Sequence, residues 1–237
     1  MEYRVKVKDY FKGLEFSRPE HRYYINGEPL RESVSAVVKR FYRPFEGEKI
    51  AKRISVIKGV PPEQLLRDWK QICDEACERG TLIHAFAEEY FDGRRVKTDA
   101  GLEESVVNFW GSIPDYMQPA FSELQMYHRK HLFAGTSDLI LQDKRDGSFT
   151  IVDYKSNRDL FKNYQGQTML GLFENYLDTP YNRYSIQLGL YQLLFEQTGF
   201  KVNGRKLVWL REHGEYEVHD TEDVSKRLNQ WLEEEYR

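Results

Sequence analysis

The chain has 237 residues, 40% hydrophobic and 31% charged, with a formal net charge of -3 and a mean hydropathy of -0.71. That length suits one domain with a sizeable core. The composition excludes collagen-like and mucin-like classes, and no apolar run reaches the roughly 18 residues of a membrane span.

Residues 21–31 contain Asn26-Gly27, a strong turn signal, and predict a hairpin. Ser33 is placed to cap a helix that runs to about Phe41, and Pro44 ends it. A second helix fits 46–58. Pro61 and Pro62 open a third, with Leu65, Leu66, Trp69, Ile72 and Ala76 as its apolar positions. Gly80 either interrupts this helix or is absorbed, and Asp92-Gly93 stops it after Phe91. A further helix is expected at about 100–112.

From Ser122 the apolar period changes to that of strands. Ser122–Lys130, Phe133–Gln142 and Ser148–Ser156 are predicted strands, and Arg205–Arg211 with Glu215–His219 form a later pair. Between these groups Tyr184–Thr198 is expected as an amphipathic helix, with Ile186, Leu190, Leu193 and Leu194 on one stripe. The intervening 157–183 link carries Phe161, Tyr164, Phe173, Tyr176 and Tyr181. Val224–Tyr236 closes the chain as a helix. The pattern predicts an α/β or α+β sheet with helices packed on it.

The net charge hides an asymmetry. Residues 1–60 hold 14 Lys+Arg against 8 Asp+Glu, whereas the remaining 177 hold 21 against 30. A basic N-terminal third can meet phosphates, although ordinary surface lysines explain the count as well. The first residues lack the apolar stretch of a signal peptide. Two cysteines, Cys73 and Cys77, are too few for a disulfide framework or a four-cysteine iron–sulfur cluster, and their i,i+4 spacing fits small packing residues. The expected setting is intracellular, reducing and away from any membrane.

The two central strands carry the chemistry. A four-residue loop at Lys144–Gly147 sets a register in which Asp138 falls opposite Asp153, with Lys155 on the face of Asp153. Leu139, Ile140, Leu141, Ile151 and Val152 flank these positions. Two carboxylates in a buried sheet centre repel each other, and a divalent cation such as magnesium or manganese relieves that. The alternative is a register one residue off, with solvated acids.

Gly135-Thr136-Ser137-Asp138 followed by Ile151-Val152-Asp153-Tyr154-Lys155-Ser156 resembles the core of the PD-(D/E)XK nucleases. Arg79-Gly80-Thr81-Leu82-Ile83-His84 and Gln187-Leu188-Gly189-Leu190-Tyr191 are similar to motifs of the RecB-like branch, which includes mitochondrial genome maintenance exonuclease-like and phage exonucleases. The resemblance spans residues 79–198. It implies a restriction-endonuclease-like α/β fold, a mixed central β-sheet flanked by helices. The whole of 1–237 would be one nuclease domain, with 1–112 a hairpin and helical portion and 113–237 the sheet-containing core.

In that resemblance Asp138 and Asp153 bind Mg2+ or Mn2+, the Tyr154 carbonyl adds a ligand and His84 completes the set. Lys155 positions or helps deprotonate water and offsets developing charge. Glu88, one turn beyond His84, orients it or contacts water at the cation, or is simply solvated. Gln187 and Tyr191 contact DNA or hold Lys155; the plainer alternative is a core tyrosine and a surface glutamine. Arg79, Thr81 and Ser156 support the site, and Glu123 is ranked last, as an acid near it.

Some members of that branch carry four cysteines for an iron–sulfur cluster, which this chain lacks, and it has no phosphate-binding loop of the ATP-driven motors. The implied activity is a metal-dependent DNA exonuclease that prefers single strands or ends, in repair, recombination or replication. A recombinase, helicase or single-strand-binding protein would be its partner, in the cytoplasm or a phage host's cytoplasm. The alternatives are a double-strand exonuclease, a structure-specific endonuclease of the same fold, or an inactive nucleic-acid-binding module.

Overall fold

Asn26 and Gly27 take left-handed backbone angles, φ 51° and 85°, which close the expected turn. The computed structural model describes residues 2–94, 101–163 and 166–236; Tyr164 lies outside them. Helix α1 (Glu2–Tyr10) precedes β1 (Leu14–Ser17), β2 (Arg22–Ile25) and β3 (Glu28–Pro29), which form a small antiparallel sheet. The hairpin is therefore one strand larger than its turn signal indicates.

Strand β4 (Glu32–Ser33) leads into α2 (Val34–Val38), where Ser33 Oγ accepts the Ala36 N–H at 3.2 Å. A single 3-10 turn, Lys39–Phe41, follows. Helix α3 (Gly47–Lys58) ends on Gly59 at φ 65°, and α4 (Pro62–Phe91) runs for 30 residues and absorbs Gly80. Helix α5 (Glu103–Gly111) ends the helical front half.

Strands β5 (Met117–Tyr127), β6 (Phe133–Asp143), β7 (Phe149–Lys155), β8 (Val202–Leu210) and β9 (Tyr216–Asp220) join β4. Among the described residues these six form one mixed sheet, ordered β4-β6-β7-β8-β9 with β5 also on β6. The β4–β6 and β7–β8 pairs are parallel. Helices α6 (Pro180–Glu196) and α7 (Ser225–Glu235) complete the chain.

Both faces of the sheet are covered. On one, Ile140, Phe149 and Ile151 pack with α2, α6 and α7. On the other, Leu139, Val152 and Val208 pack with α5 and with Ile83, Phe86 and Ala87 of α4. Val7 and Phe11 from the N-terminus share the first of these cores. The mixed, helix-flanked sheet is the α/β arrangement expected.

Several sequence expectations are corrected. Strand β5 begins at Met117, five residues before Ser122, because its first half is only partly buried and lacks a clean alternation. Helix α6 starts at Pro180, with Thr179 Oγ1 accepting the Asn182 N–H at 3.3 Å. It is not amphipathic: Ser185, Ile186, Leu188, Leu190, Gln192 and Leu194 are all buried, so it is enclosed on most sides. Of the apolar positions proposed for α4, only Leu65 is buried, and Ile72 is 63% exposed. Cys73 and Cys77 are exposed rather than packing residues. The reason is that residues 70–79 of α4 are exposed all round, while its packed residues lie near its two ends.

The turn between β5 and β6 holds a half-buried histidine. His128 stacks on Phe133 at 5.4 Å, and its Nδ1 accepts the His131 N–H at 3.2 Å. Burial, with His131 beside it, pushes His128 down from 6.5 to about 4. A depressed imidazole favours folding while neutral, so its contribution is complete above pH 6.5 and lost as pH falls through 4. His128→Gln is expected to flatten the acid side of the stability profile by about 1–2 kcal/mol after allowance for partial exposure. Urea melts of both proteins at matched pH values check this, and parallel profiles would refute it.

Candidate active site

The register of β6 and β7 places the site. Leu139↔Val152, Ile140↔Ile151, Leu141↔Thr150 and Gln142↔Phe149 are paired, as the four-residue loop requires. Continued by one step, the same register sets Asp138 against Asp153, but ladder pairing ends at Leu139. Asp143 N–H donates to Ser148 O at 2.8 Å, so by antiparallel alternation a continued ladder would aim the Tyr154 N–H at Ser137. Instead Asp138 Oδ2 accepts it at 2.7 Å. The two strands fork here, and β4 takes the β6 edge further on, at Phe133 and Ala134.

Side chains from three elements converge on the fork. His84 of α4 has Nδ1 at 3.4 Å from Asp138 Oδ1 and 3.5 Å from Glu123 Oε1. Glu123 belongs to β5, between the paired positions Ser122↔Leu139 and Leu124↔Ser137, with a left-handed φ of 47°. A non-glycine residue with this backbone inside a strand is strained. The ligand atoms of His84, Glu123 and Asp138 all lie within 4.8 Å of one another. Two carboxylates and an imidazole at that spacing suit a divalent cation.

Asp153 is 1% exposed and is ion-paired with Lys155. Its Oδ1 lies 3.4 Å from Gln187 Nε2, which also donates to the Tyr191 hydroxyl at 2.8 Å. Gln187 therefore reaches Asp153 rather than Lys155. Lys155 Nζ stands 4.6 Å from the centre of the Tyr184 ring. Sequence reasoning missed Tyr184, although Tyr184, Gln187 and Tyr191 share one face of α6 at i, i+3, i+7. Tyr191 fits because Gly135 has no side chain: a Cβ there would sit 2.7 Å from the ring and 2.7 Å from Val34 Cγ2.

The electrostatics follow from burial. Burial pushes the Asp153 carboxyl up to about 6, against the attraction of Lys155 and with repulsion from Asp138. Burial also raises Glu123, partly countered by its hydrogen bond with His84. Asp138 is lowered despite burial, by His84, Lys155 and the Tyr154 N–H. Burial opposes the His84 imidazolium, yet Asp138 and Glu123 push it up to about 10. The charge on His84 and Lys155 thus answers the buried Asp138 and Asp153 and the half-buried Glu123, and the same acids create the demand that a cation meets.

The remaining sequence candidates lie further out. Glu88 is exposed, and its charge bears on Glu123. Thr81 is exposed and donates back to the Cys77 carbonyl at 3.0 Å. Arg79 and Ser156 line a cavity of about 470 Å³ with Arg158, Trp209 and Arg211. The Tyr154 hydroxyl accepts a hydrogen bond from Trp110 Nε1 at 3.0 Å, and its ring lies edge-on to His84 at 6.3 Å.

Among the described residues no helix is long and apolar enough to cross a membrane. No curated protein matches the chain. The family model of the PD-(D/E)XK nuclease superfamily matches residues 104–237. That stretch contains Glu123, Asp138, Asp153, Lys155 and α6 and leaves His84 outside. With more than half of its length matched and the forked β6–β7 pair presenting these acids, the chain belongs to the PD-(D/E)XK nuclease superfamily.

Proposed function

We propose that the protein is a metal-dependent DNA exonuclease acting on single strands or strand ends. The observation that carries this reading is the His84–Glu123–Asp138 cluster beside the buried Asp153–Lys155 pair. Nucleases of this superfamily use divalent metals, and the donor set here fits Mg2+ or Mn2+, with the imidazole favouring the latter. When bound, such an ion polarises the scissile phosphate and makes water a stronger nucleophile at neutral pH.

The residues of the chain have separate tasks. Glu123 and Asp138 would hold the cation, with His84 joining them once it gives up its proton, since only the neutral imidazole ligates; Asp153 links that set to Lys155. Lys155 is paired with a carboxylate and faces the Tyr184 ring, so it serves as a cationic donor that orients water and offsets negative charge on phosphate, not as a base. Gln187 and Tyr191 fix the carboxylate of Asp153. The motifs around His84 and Gln187 support the RecB-like exonuclease branch and a role in repair, recombination or replication.

Cleavage of end-labelled single- and double-stranded DNA and RNA, with magnesium, manganese or EDTA, tests the reading. Native protein is expected to shorten DNA from an end only when metal is present. Asp153→Ala and Lys155→Ala are each expected to lose about 100-fold or more of the rate. Cleavage that survives both substitutions or EDTA would defeat the assignment. Internal cuts would point to an endonuclease, and faster duplex cleavage to the double-strand alternative.

Metal binding has its own readout. Saturating Mn2+ at about 100-fold over its dissociation constant stabilises by about 2.7 kcal/mol, which for a chain of this size raises the melting temperature by several degrees. Asp138→Asn and Glu123→Gln are each expected to abolish most of that rise. An undiminished rise in both would place the cation elsewhere.

A further inference from the structure

Beside the site lies a groove of about 1060 Å³, walled by the turn after α2, by α3, by α4 near Trp69, by the 157–183 link and by the start of α6. Lys39, Arg43, Arg53, Lys162 and Arg183 line it with a single carboxylate, Asp178. That carboxylate is ion-paired with Arg183 at 2.6 Å, so the lining is strongly cationic. Three of its cations, Lys39, Arg43 and Arg53, come from the basic first 60 residues. Such a lining attracts any polyanion.

Aromatic rings narrow the choice. Tyr42, Phe45 and Trp69 stand among these cations. Phe45 is 61% exposed although it packs edge-on to Trp69 at 5.6 Å. A phenylalanine so exposed within a cationic groove offers a ring face to a ligand. Bases in a duplex are stacked on one another, whereas those of a single strand are free to stack on protein rings. The combination of cations and open ring faces therefore selects for unpaired strands.

The groove and the site share α6. Arg183 lies over Tyr42 at 3.8 Å, while its neighbour Tyr184 lies under Lys155. One helical turn thus forms both the groove wall and the floor beneath Lys155. Arg43 also donates to the Thr168 carbonyl at 3.1 Å, fastening the 157–183 link to the opposite wall.

We propose that this groove binds single-stranded DNA, with phosphates along its cations and bases on Phe45 and Trp69, and leads the strand to Lys155. The proposal rests on the reading of the chain as a DNA nuclease and names the surface that selects its substrate. Anisotropy of a labelled single strand and of the matched duplex, both in EDTA, measures binding without cleavage. The Phe45→Ala/Trp69→Ala pair is expected to weaken single-strand binding about tenfold or more, while changing duplex binding little. Lys39→Gln/Arg53→Gln is expected to lower the log–log salt slope for single strands by about 1–2.

Native-like single-strand binding by both variants overturns the proposal, as does native protein that binds duplex as tightly as single strand. Lys39 and Arg53 are exposed, so the charge variant decides the matter alone should the ring variant fail to fold. Binding by native protein without metal-dependent cleavage would overturn the nuclease reading and keep the groove. Cleavage with groove variants that bind as native does the reverse.

Discussion

The cost of holding three carboxylates together at a site largely closed to water governs this molecule. Glu123, Asp138 and Asp153 gather where β6 and β7 part, and Asp153 is all but inaccessible to water. Isolated charges in such a place cost several kcal/mol each. Every neighbour of the fork is arranged to offset that cost. The Tyr154 N–H leaves the ladder for Asp138, His84 reaches two acids at once, and Lys155 is held against Asp153. The strained backbone of Glu123 belongs to the same arrangement, since it sits directly across β6 from Asp138.

The fork itself depends on a sheet that is covered on both faces. Because Phe149 and Ile151 pack toward α6 while Val152 packs toward α4 and α5, β7 cannot slip by one residue without burying the wrong set. Register is thereby fixed, and with it the position of Asp153 relative to Asp138. Helix α6 then supplies Tyr184, Gln187 and Tyr191 from one side of the sheet, and α4 supplies His84 from the other. Gly135 allows this close approach of Tyr191, and Gly189 lets α7 pack on α6, since a Cβ there would lie 2.7 Å from Val224 Cγ2.

What was legible in the sequence follows from this. The β6–β7 register could be derived because a short loop and alternating apolar residues leave one solution. The Ser33 cap, the Asn26-Gly27 turn and the Pro62 start are local signals and need no tertiary context. Strand β4 was illegible because two residues carry no period. The middle of α4 is misleading because its apolar residues sit at helical spacing, yet among the described residues no element covers them. Glu123 was undervalued because its place at the site depends on a left-handed backbone inside a strand, which no pattern announces. Tyr184 escaped notice because its role exists only where α6 crosses Lys155.

The distribution of charge has the same logic at larger scale. A net of -3 averages an acidic fork, whose carboxylates are paired with His84 and Lys155, with a cationic groove drawn largely from the first 60 residues. The cations of the groove would act on a polyanion at longer range than the acids of the fork, whose charge is offset locally by His84 and Lys155. Opposite signs at neighbouring places therefore do not cancel. In the proposed reading the cations of the groove draw the phosphates, and a cation at the fork would stand between phosphate and carboxylates. Tyr184 stands at the boundary, its ring against Lys155 and its helix neighbour Arg183 in the groove, so attraction and selection meet within one turn of α6.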